Sequence, residues 1–305
     1  MEVIFLGTGA GAPTRKRNVS SIAVRFDQSR EVWLFDCGEG TQHQFQRASV
    51  SPAQVTHIFI THMHGDHLFG LPGFLSSRSL QGGSEKPLTI IGPEGIQSLV
   101  TLVLKQSQTN LSYPLYFEEI TAERNVLDLP TARVEYSALL HPIKSFGYAL
   151  HLPDKPGRFK VEKAVAERIP SGPLFGRLKQ GEEIELSDGR RYNGMDFIES
   201  PVKGKKIVIL GDTSACPSAI ELSQDAHLLI HEATFAQEEA KLAMISGHST
   251  NIDAANTAKT ANVRTLVLTH FSARYDETKA SAMLAEAQTI FPQTVMAFDF
   301  YQINV

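Results

Sequence analysis

Short apolar runs alternate with amphipathic stretches through most of the chain, and this alternation predicts a layered α/β fold. The apolar runs predict strands at Glu2–Leu6, Ser21–Phe26, Val32–Phe35, Val55–Ile60, Leu88–Ile91, Leu115–Ile120, Ala132–Leu140, Ser145–Leu152, Ile207–Leu210, His227–Ile230, Thr265–Leu268 and from Thr294 onward. The stretches between them predict helices at Thr41–Ala48, Leu71–Leu80, Gly95–Lys105, Asp253–Ala261 and Glu277–Ile290. We expect Ser249 or Thr250 to cap the helix that begins near Asp253.

The alternation stops after Leu152 and resumes at Lys206. Between them, short helix-like pieces at Glu162–Ile169 and Leu174–Lys179 are separated by glycine- and proline-containing breaks. We interpret residues 153–200 as an insertion that stands off the core of a single domain spanning residues 1–305. A plain surface excursion is the alternative interpretation.

Polar residues follow the apolar runs at several strand ends. They are His62, His64, Asp66 and His67 after the strand Val55–Ile60, then His141, Asp212, the pair His231-Glu232, and His270 after later strands. In layered α/β folds, separate loops at the strand ends supply one site. We therefore expect these side chains to meet.

The segment Thr61–His67 concentrates three imidazoles and one carboxylate, which are ligands that suit zinc and similar divalent metals. We expect His62 and His64 to serve one metal, Asp66 and His67 a second, and His141 and His270 to add ligands. Asp212 is either a turn residue or a carboxylate that bridges two cations. Gly65 is expected to adopt a backbone conformation that other residues avoid. We assign surface or core roles to the isolated histidines His43, His57, His151 and His227.

The charge balance does not by itself indicate nucleic-acid binding. The 305 residues carry 29 Lys and Arg against 33 Asp and Glu, for a net charge of −4. Residues 153–206 carry twelve Lys and Arg against nine Asp and Glu, so this stretch has a modest local charge of +3. The glycine-rich loop 7–18, with Arg15, Lys16 and Arg17, is either a phosphate-contacting nest or a plain turn.

Cysteine content and hydropathy indicate a soluble cytoplasmic protein. Two cysteines, Cys37 and Cys216, are too few for a disulfide framework and suit a reducing compartment. The sequence shows neither a basic and apolar leader nor an apolar run of membrane-spanning length, so we expect no membrane association.

Several motifs together carry a family resemblance. His-x-His-x-Asp-His, at His62–His67, resembles the signature of the metallo-β-lactamase superfamily. With FLGTGAGAPTRKRN, FDCGEGTQ, THMHGDHLFGLPG, HEAT and GHST, the chain resembles the ribonuclease Z family, in its short form, from Phe5 to the final strand. The resemblance implies an αβ/βα sandwich with a protruding flexible arm, residues 153–200, inserted between its halves.

The resemblance also implies a mechanism. It assigns His62, His64 and His141 to one zinc ion, Asp66, His67 and His270 to a second, and Asp212 to a bridge between them, with manganese or cobalt as other metals that fit. Asp66 would accept a proton from the attacking water, and His248, steadied by Glu232, would protonate the departing 3′ oxygen. The implied enzyme is a homodimeric endoribonuclease whose arm grips precursor tRNA. It would remove the 3′ trailer, leaving a 3′-hydroxyl on the tRNA and a 5′-phosphate on the trailer. The alternatives are a small-molecule phosphodiesterase or arylsulfatase of the same fold, and a metal-dependent RNA-binding protein without turnover.

Overall fold

Two seven-stranded β-sheets dominate the computed structural model, which describes residues 1–27 and 29–305. The strands of the first sheet are β1 (Glu2–Gly7), β3 (Ser21–Arg25), β4 (Val32–Phe35), β5 (Val55–Phe59), β6 (Leu88–Pro93), β7 (Leu115–Ile120) and β18 (Gln302–Asn304). Across the sheet they lie in the order β18-β1-β3-β4-β5-β6-β7.

The strands of the second sheet are β8 (Arg124–Asp128), β9 (Arg133–Ala138), β10 (Phe146–His151), β13 (Lys206–Leu210), β14 (Leu228–Glu232), β15 (Leu266–Thr269) and β17 (Thr294–Met296). They lie in the order β17-β15-β14-β13-β10-β9-β8. A small parallel pair joins β2 (Gly9–Ala10) to β16 (Phe271–Ser272).

Parallel pairing brings the ends of the functional strands to common edges. Strands β4, β5, β6 and β7 are mutually parallel in the first sheet, as are β13, β14, β15 and β17 in the second. The carboxyl ends of β5, β13, β14 and β15 therefore deliver the segments that begin near His62, Asp212, Glu232 and His270.

The helices agree with the sequence prediction in the long elements and depart from it in the short ones. They are α1 (Thr41–Phe45), α2 (Gly65–Leu68), α3 (Leu71–Leu80), α4 (Ile96–Gln106), α5 (Val161–Ala166), α6 (Pro173–Lys179), α7 (Pro217–Ser223), α8 (Ala240–Ser246), α9 (Asn251–Thr260) and α10 (Glu277–Ile290). Helix α1 ends at Phe45, before the predicted Ala48, and α8 was not predicted. Thr250 caps α9 through a reciprocal capping box with Asp253, whereas Ser249 donates its hydroxyl to the Thr213 carbonyl.

Aromatic side chains fill the space between the two sheets. Phe35 and Phe59 stack with ring centroids 4.8 Å apart, and Tyr148 of the second sheet meets both rings. The Tyr148 hydroxyl donates to the Ile60 carbonyl at 2.7 Å, so the buried phenol is satisfied. Alternate residues of the same strands, such as Leu34 and Ile58, pack with the helices instead. Strand β4 is therefore buried on both faces, which is why its sequence is a continuous apolar run.

The chain divides into two compact units. The larger comprises residues 1–129, 133–150 and 206–305, and the smaller comprises residues 130–132 and 151–205, a range that contains the predicted insertion 153–200. The smaller unit holds α5, α6 and the hairpin of β11 (Glu183–Glu185) and β12 (Arg191–Asn193). It has its own apolar cluster, in which Phe159, Leu178 and Phe197 are buried. Among the described residues, no helix is both long enough and apolar enough to cross a membrane.

Candidate metal centre

The segment that begins at Thr61 is held between the two sheets by its backbone. Phe146 donates its N–H to the Thr61 carbonyl at 3.0 Å, and His62 forms an antiparallel bridge with Ser145. Two buried neighbours thus fix the segment just after β5 ends. The side chain of His62 is fully buried, as is that of His67 apart from 2% of its surface.

The prediction that Gly65 adopts a backbone conformation avoided by other residues was wrong. Gly65 is not among the residues with positive φ and simply begins α2. A Cβ at this position would lie 2.2 Å from Cε2 of Phe69, so the aromatic ring occupies the space that a side chain would need. The glycine is required by a close approach and not by an unusual backbone angle.

Three imidazoles and one carboxylate form the first donor cluster. His64 Nδ1 lies 3.1 Å from His62 Nε2 and 3.2 Å from His141 Nε2. Asp212 Oδ2 lies 3.6 Å from His62 Nε2. The four ligand atoms lie within 4.8 Å of one another, a spacing that could hold a metal ion.

Asp66, His67 and His270 form the second donor cluster. The two imidazole Nε2 atoms are 3.2 Å apart, and Asp66 Oδ2 lies 3.4 Å from His270 Nε2 and 3.5 Å from His67 Nε2. Asp212 stands between the clusters, because its Oδ1 is 3.5 Å from His270 Nε2 and its Oδ2 is 3.4 Å from His67 Nε2. The structure thus brings all seven predicted ligands together; which of them binds a metal stays a prediction.

Three of the ring nitrogens that face away from the centre, those of His67, His141 and His270, are hydrogen-bonded, and this is the feature that fits metal binding best. His67 Nδ1 lies 2.7 Å from Asp36 Oδ2, and His141 Nδ1 lies 2.8 Å from the Gly247 carbonyl. His270 Nδ1 lies 2.8 Å from the Thr234 hydroxyl. When the outer nitrogen carries the proton, the inner nitrogen presents its lone pair to the centre. The chemistry and orientation of the donors therefore suit a divalent metal.

Asp36 is a residue of the site that the sequence interpretation missed. It accepts hydrogen bonds from the Thr61 N–H at 2.7 Å, from the Thr61 hydroxyl at 2.9 Å and from His67. Its φ of 58° lies in the left-handed region, which is costly for a residue other than glycine. The signal was present, since Asp36 directly follows the strand Val32–Phe35.

His270 occupies a similarly strained position. Its φ is 58°, and the next residue, Phe271, pairs with Gly9 in the short sheet of β2 and β16. The Phe271 N–H also donates to the Thr8 carbonyl at 2.9 Å. These contacts hold the chain immediately beyond the strained residue, so the imidazole is directed toward Asp66 and His67.

The glycine-rich loop is part of the scaffold of the centre. The Gly11 N–H donates to Asp66 Oδ2 at 2.8 Å, and the Gly9 N–H donates to the Asn18 carbonyl at 2.8 Å. Arg17 is 8% exposed and donates to the Thr8 hydroxyl and the Ala297 carbonyl, both at 2.8 Å. Arg17 is therefore unavailable to an external phosphate, and the loop orients Asp66.

Half-buried His248 and buried Glu232 form a pair beside the centre. His248 Nδ1 lies 2.8 Å from Glu232 Oε1, and Glu232 also accepts hydrogen bonds from the Thr213 and Thr234 backbone N–H groups at 3.0 and 3.1 Å. Burial lowers the pKa of His248, but the hydrogen bond and charge of Glu232 outweigh burial and raise it to about 9. A protonated imidazole is thus favoured near neutral pH.

His248 also lies close to two of the predicted ligands. Its Nδ1 is 3.8 Å from Asp212 Oδ2, and the group Asp212, His248 and His270 is itself spaced for a metal ion. The contact with Glu232 occupies that same Nδ1, which leaves Nε2 as the unengaged nitrogen.

Burial and charge set the protonation of the two donor clusters in opposite directions. Burial, reinforced by His67, lowers the pKa of His62 to about 2, so its imidazole is neutral. Burial also lowers the pKa of His67, but Asp212 and Asp36 outweigh it and hold that pKa well above its ordinary value. Burial raises the pKa of Asp212, yet His270, His67 and His62 hold it well below its ordinary value. The centre therefore combines an ionised Asp212 with a neutral His62, whereas His67 is held in its charged form and would release that proton on binding a metal.

Comparisons with known proteins agree with this geometry. The chain is 49% identical over its full length to a protein named ribonuclease Z from Lactiplantibacillus plantarum, of which it covers 98%. Residues 1–157 match the sequence family described as Anti-Pycsar protein Apyc1.

Solved structures give the fold. The chain is similar to the short form of human tRNase Z, with a TM-score of 0.73 and 31% identity over 100% of this chain and 99% of that one. It is also similar to a metallo-β-lactamase fold protein from Bacillus subtilis, with a TM-score of 0.69 and 18% identity over 99% of this chain and 98% of that one. The predicted metallo-β-lactamase fold is confirmed.

Proposed function

The chain belongs to the ribonuclease Z family, and from this premise we propose how its donor cluster cleaves RNA. Residues 1–157 belong also to the family described as Anti-Pycsar protein Apyc1. The protein is a metal-dependent endoribonuclease that processes the 3′ ends of tRNA precursors. Full-length similarity to named ribonuclease Z proteins, joined to the meeting of five imidazoles and two carboxylates from separate loops, carries this function.

The donor set fits two zinc ions per subunit. His62, His64 and His141 would hold one ion, Asp66, His67 and His270 the other, and Asp212 would lie between them. Manganese and cobalt fit the same nitrogen and oxygen donors. When bound, such ions supply Lewis acidity, which lowers the pKa of water and offsets negative charge on phosphoryl oxygens.

The side chains around the donors supply the proton transfers. Burial raises the pKa of Asp66, but contacts with His270 and His67 hold it well below its ordinary value, so the carboxylate is ionised. Asp66 would accept a proton from the attacking water, whose own pKa a bound metal would lower. The water oxygen bonds to phosphorus as the bond from phosphorus to the 3′ oxygen breaks. His248 gives its Nε2 proton to that departing oxygen, and Glu232 holds the ring and stabilises its charged form. The products are a tRNA with a 3′-hydroxyl and a trailer with a 5′-phosphate.

Cleavage of an unprocessed tRNA precursor tests this function. The metal-loaded protein should release the intact trailer in one cut, and a chelated sample should release none. A small phosphodiester assayed in parallel separates the two parts of the proposal. Turnover of that ester without cleavage of precursor would refute the tRNA assignment and favour the small-molecule phosphodiesterase or arylsulfatase. Tight precursor binding without cleavage in zinc or manganese would favour the binding protein without turnover.

We further propose that residues 153–200 form the arm that grips the tRNA. Lys155, Arg158 and Lys160 are exposed and form no ion pair within the described part of the chain. By contrast, Arg177 and Arg191 are bonded to Glu182 and Glu185 at 2.8 Å. The first group can therefore reach phosphates, while the second mainly stabilises the smaller unit.

We also propose that the protein forms a homodimer and is located in the cytoplasm. Cys37 and Cys216 are both buried and unpaired, in keeping with a reducing compartment. Sedimentation equilibrium of the metal-loaded protein should give twice the mass of one chain, and a monomer mass at micromolar concentration would refute the dimer.

A further inference from the structure

An exposed aromatic ring stands at the edge of the metal centre. Phe69 is 68% exposed and lies two residues beyond His67, at the end of α2. Its N–H donates to the Gly65 carbonyl at 2.8 Å, so its backbone is fixed to the helix that carries Asp66 and His67. The proposed proton transfers make no use of this ring.

The ring rests on the one residue that separates the two donor clusters. A Cβ at Gly65 would lie 2.2, 2.5 and 2.7 Å from three atoms of the Phe69 ring. Gly65 stands between His64 of the first cluster and Asp66 of the second. The ring is therefore packed against the backbone between the clusters, with most of its surface open to solvent.

We propose that Phe69 is a positioning residue that stacks on the nucleobase of a nucleotide flanking the scissile phosphodiester. This inference rests on the proposed function, because an RNA phosphate held at the donors brings the two adjacent nucleosides to the edge of the centre. An aromatic ring offers its face to any base, which suits an enzyme that cuts many tRNA precursors. A protein surface seated on Phe69 would instead obstruct the approach of RNA to the donors.

Abasic precursors test the stacking directly. Phe69→Ala should lower kcat/KM for the intact precursor by about tenfold, within the range that base stacking provides, mainly through KM. The wild type should cleave a precursor that lacks the base on one side of the cut with a kcat/KM lowered by a similar factor. On that abasic precursor, the kcat/KM of Phe69→Ala should be only slightly below that of the wild type. Phe69→Trp should retain activity on the intact precursor, and Phe69→Leu should not.

Tyr116→Ala is the matched control. Tyr116 is 57% exposed on β7. It lies opposite Thr89 of β6, which lies opposite His57 of β5, five residues before His62. The Tyr116→Ala variant should cleave both precursors as the wild type does.

Three outcomes would overturn the inference while the wild type still cuts precursor. Phe69→Ala could match the wild type, or it could lose activity equally on intact precursor and on precursors abasic at either flank. It could also sediment as a monomer whose activity returns at high protein concentration, which would make Phe69 a contact with a second copy. If the wild type itself fails to cut precursor, the proposed function fails instead.

Discussion

Hydrogen bonds to the outward-facing ring nitrogens determine how each histidine presents itself to the centre. Asp36 contributes most to this orientation, because its one buried carboxylate holds both the His67 ring and the backbone of Thr61. Thr234 plays a comparable part by linking His270 to Glu232: its hydroxyl lies 2.8 Å from His270 Nδ1 and 2.6 Å from Glu232 Oε2. Orientation of the ligands therefore depends on residues that do not face the metal site.

We expect Asp36→Asn to weaken metal binding. An amide cannot accept hydrogen bonds on both sides, so either His67 or Thr61 loses its partner, and such losses weaken metal affinity by about 10- to 100-fold. Calorimetric titration of zinc into metal-free protein measures the effect without relying on activity. Asp128→Asn is the control, since Asp128 is 87% exposed. Unchanged affinity in Asp36→Asn would contradict the orienting role.

We expect His248→Ala to lower kcat on precursor by about 10²- to 10⁴-fold, because the departing 3′ oxygen loses its proton donor. An ester of p-nitrophenol needs no such donor, so the loss on that substrate should be much smaller. Steady-state rates on both substrates give the comparison, with zinc content measured for each preparation. Equal losses on the two substrates, accompanied by loss of zinc, would instead indicate that His248 is a ligand.

At this scale the sequence predicted donor types well and supporting residues poorly. Strand ends pointed to His141, Asp212 and His270 before any contact was known. Asp36 was overlooked because a single carboxylate in a glycine-rich turn resembles an ordinary turn residue. The reason for Gly65 was also out of reach, since it depends on where the Phe69 ring lies.

Among the elements, the close docking of two loops is what fixes the donor-bearing helix α2. Gly70 donates its N–H to the Cys37 carbonyl at 2.8 Å, and Cys37 donates to the His67 carbonyl at 2.7 Å. A Cβ at Gly38 would lie 2.3 Å from the backbone oxygen of Asp66, and a Cβ at Gly70 would lie 2.0 Å from the backbone oxygen of Gly38, so neither glycine has room for a side chain.

We expect Gly38→Ala to destabilise the protein by about 1–3 kcal/mol, because backbone must move to admit the methyl group. Gly176→Ala is the matched control. Gly176 lies within α6, nothing lies within 4 Å of its added Cβ, and alanine should be neutral or stabilising there by up to about 1 kcal/mol. Urea unfolding measures both. Equal stability of the two variants would mean that the loops can separate at little cost.

Strands with long apolar runs were predictable, whereas the two edge strands β18 and β8 were not. Strand β18 pairs with β1 although Gln302 and Asn304 are polar and exposed, and β8 likewise carries exposed Arg124 and Asn125. Such a strand is held in the sheet mainly by backbone hydrogen bonds to its neighbour, and these leave no hydrophobic pattern in the sequence. Helix α8 was missed because it is short and its apolar residues Leu242, Met244 and Ile245 are exposed, so they do not form the buried face that marks a helix in the sequence.

For the molecule as a whole, net charge is a poor guide to RNA binding because the basic residues are unevenly distributed and partly paired. We expect the triple variant Lys155→Ala, Arg158→Ala and Lys160→Ala to raise KM for precursor and to reduce its salt dependence. The slope of log KM against log salt concentration should fall by about one unit for each phosphate that the arm no longer binds.

Turnover of a small phosphodiester should remain unchanged in the triple variant. Arg191→Ala is the control, because Arg191 is already paired with Glu185. KM measured at several salt concentrations decides the matter. Parallel losses on both substrates would contradict a role of the arm in RNA binding.

We also expect metal removal to destabilise the folded chain. Binding to the native state alone adds about 4 kcal/mol when free metal is a thousandfold above Kd. Thermal melts of chelated and zinc-loaded protein should differ by several degrees, and added zinc should restore the higher Tm. A Tm independent of zinc would show that the centre contributes little to stability.

The donors come from both sheets, and the last of them, His270, stands late in the chain. A polypeptide emerging from the ribosome exposes His62 to His67 long before Asp212 and His270 exist to complete the set. Strand β18, which follows His270 in the chain, pairs with β1, so the first sheet is also completed late. Hydrolytic competence therefore arrives late in synthesis, once both sheets can supply their donors.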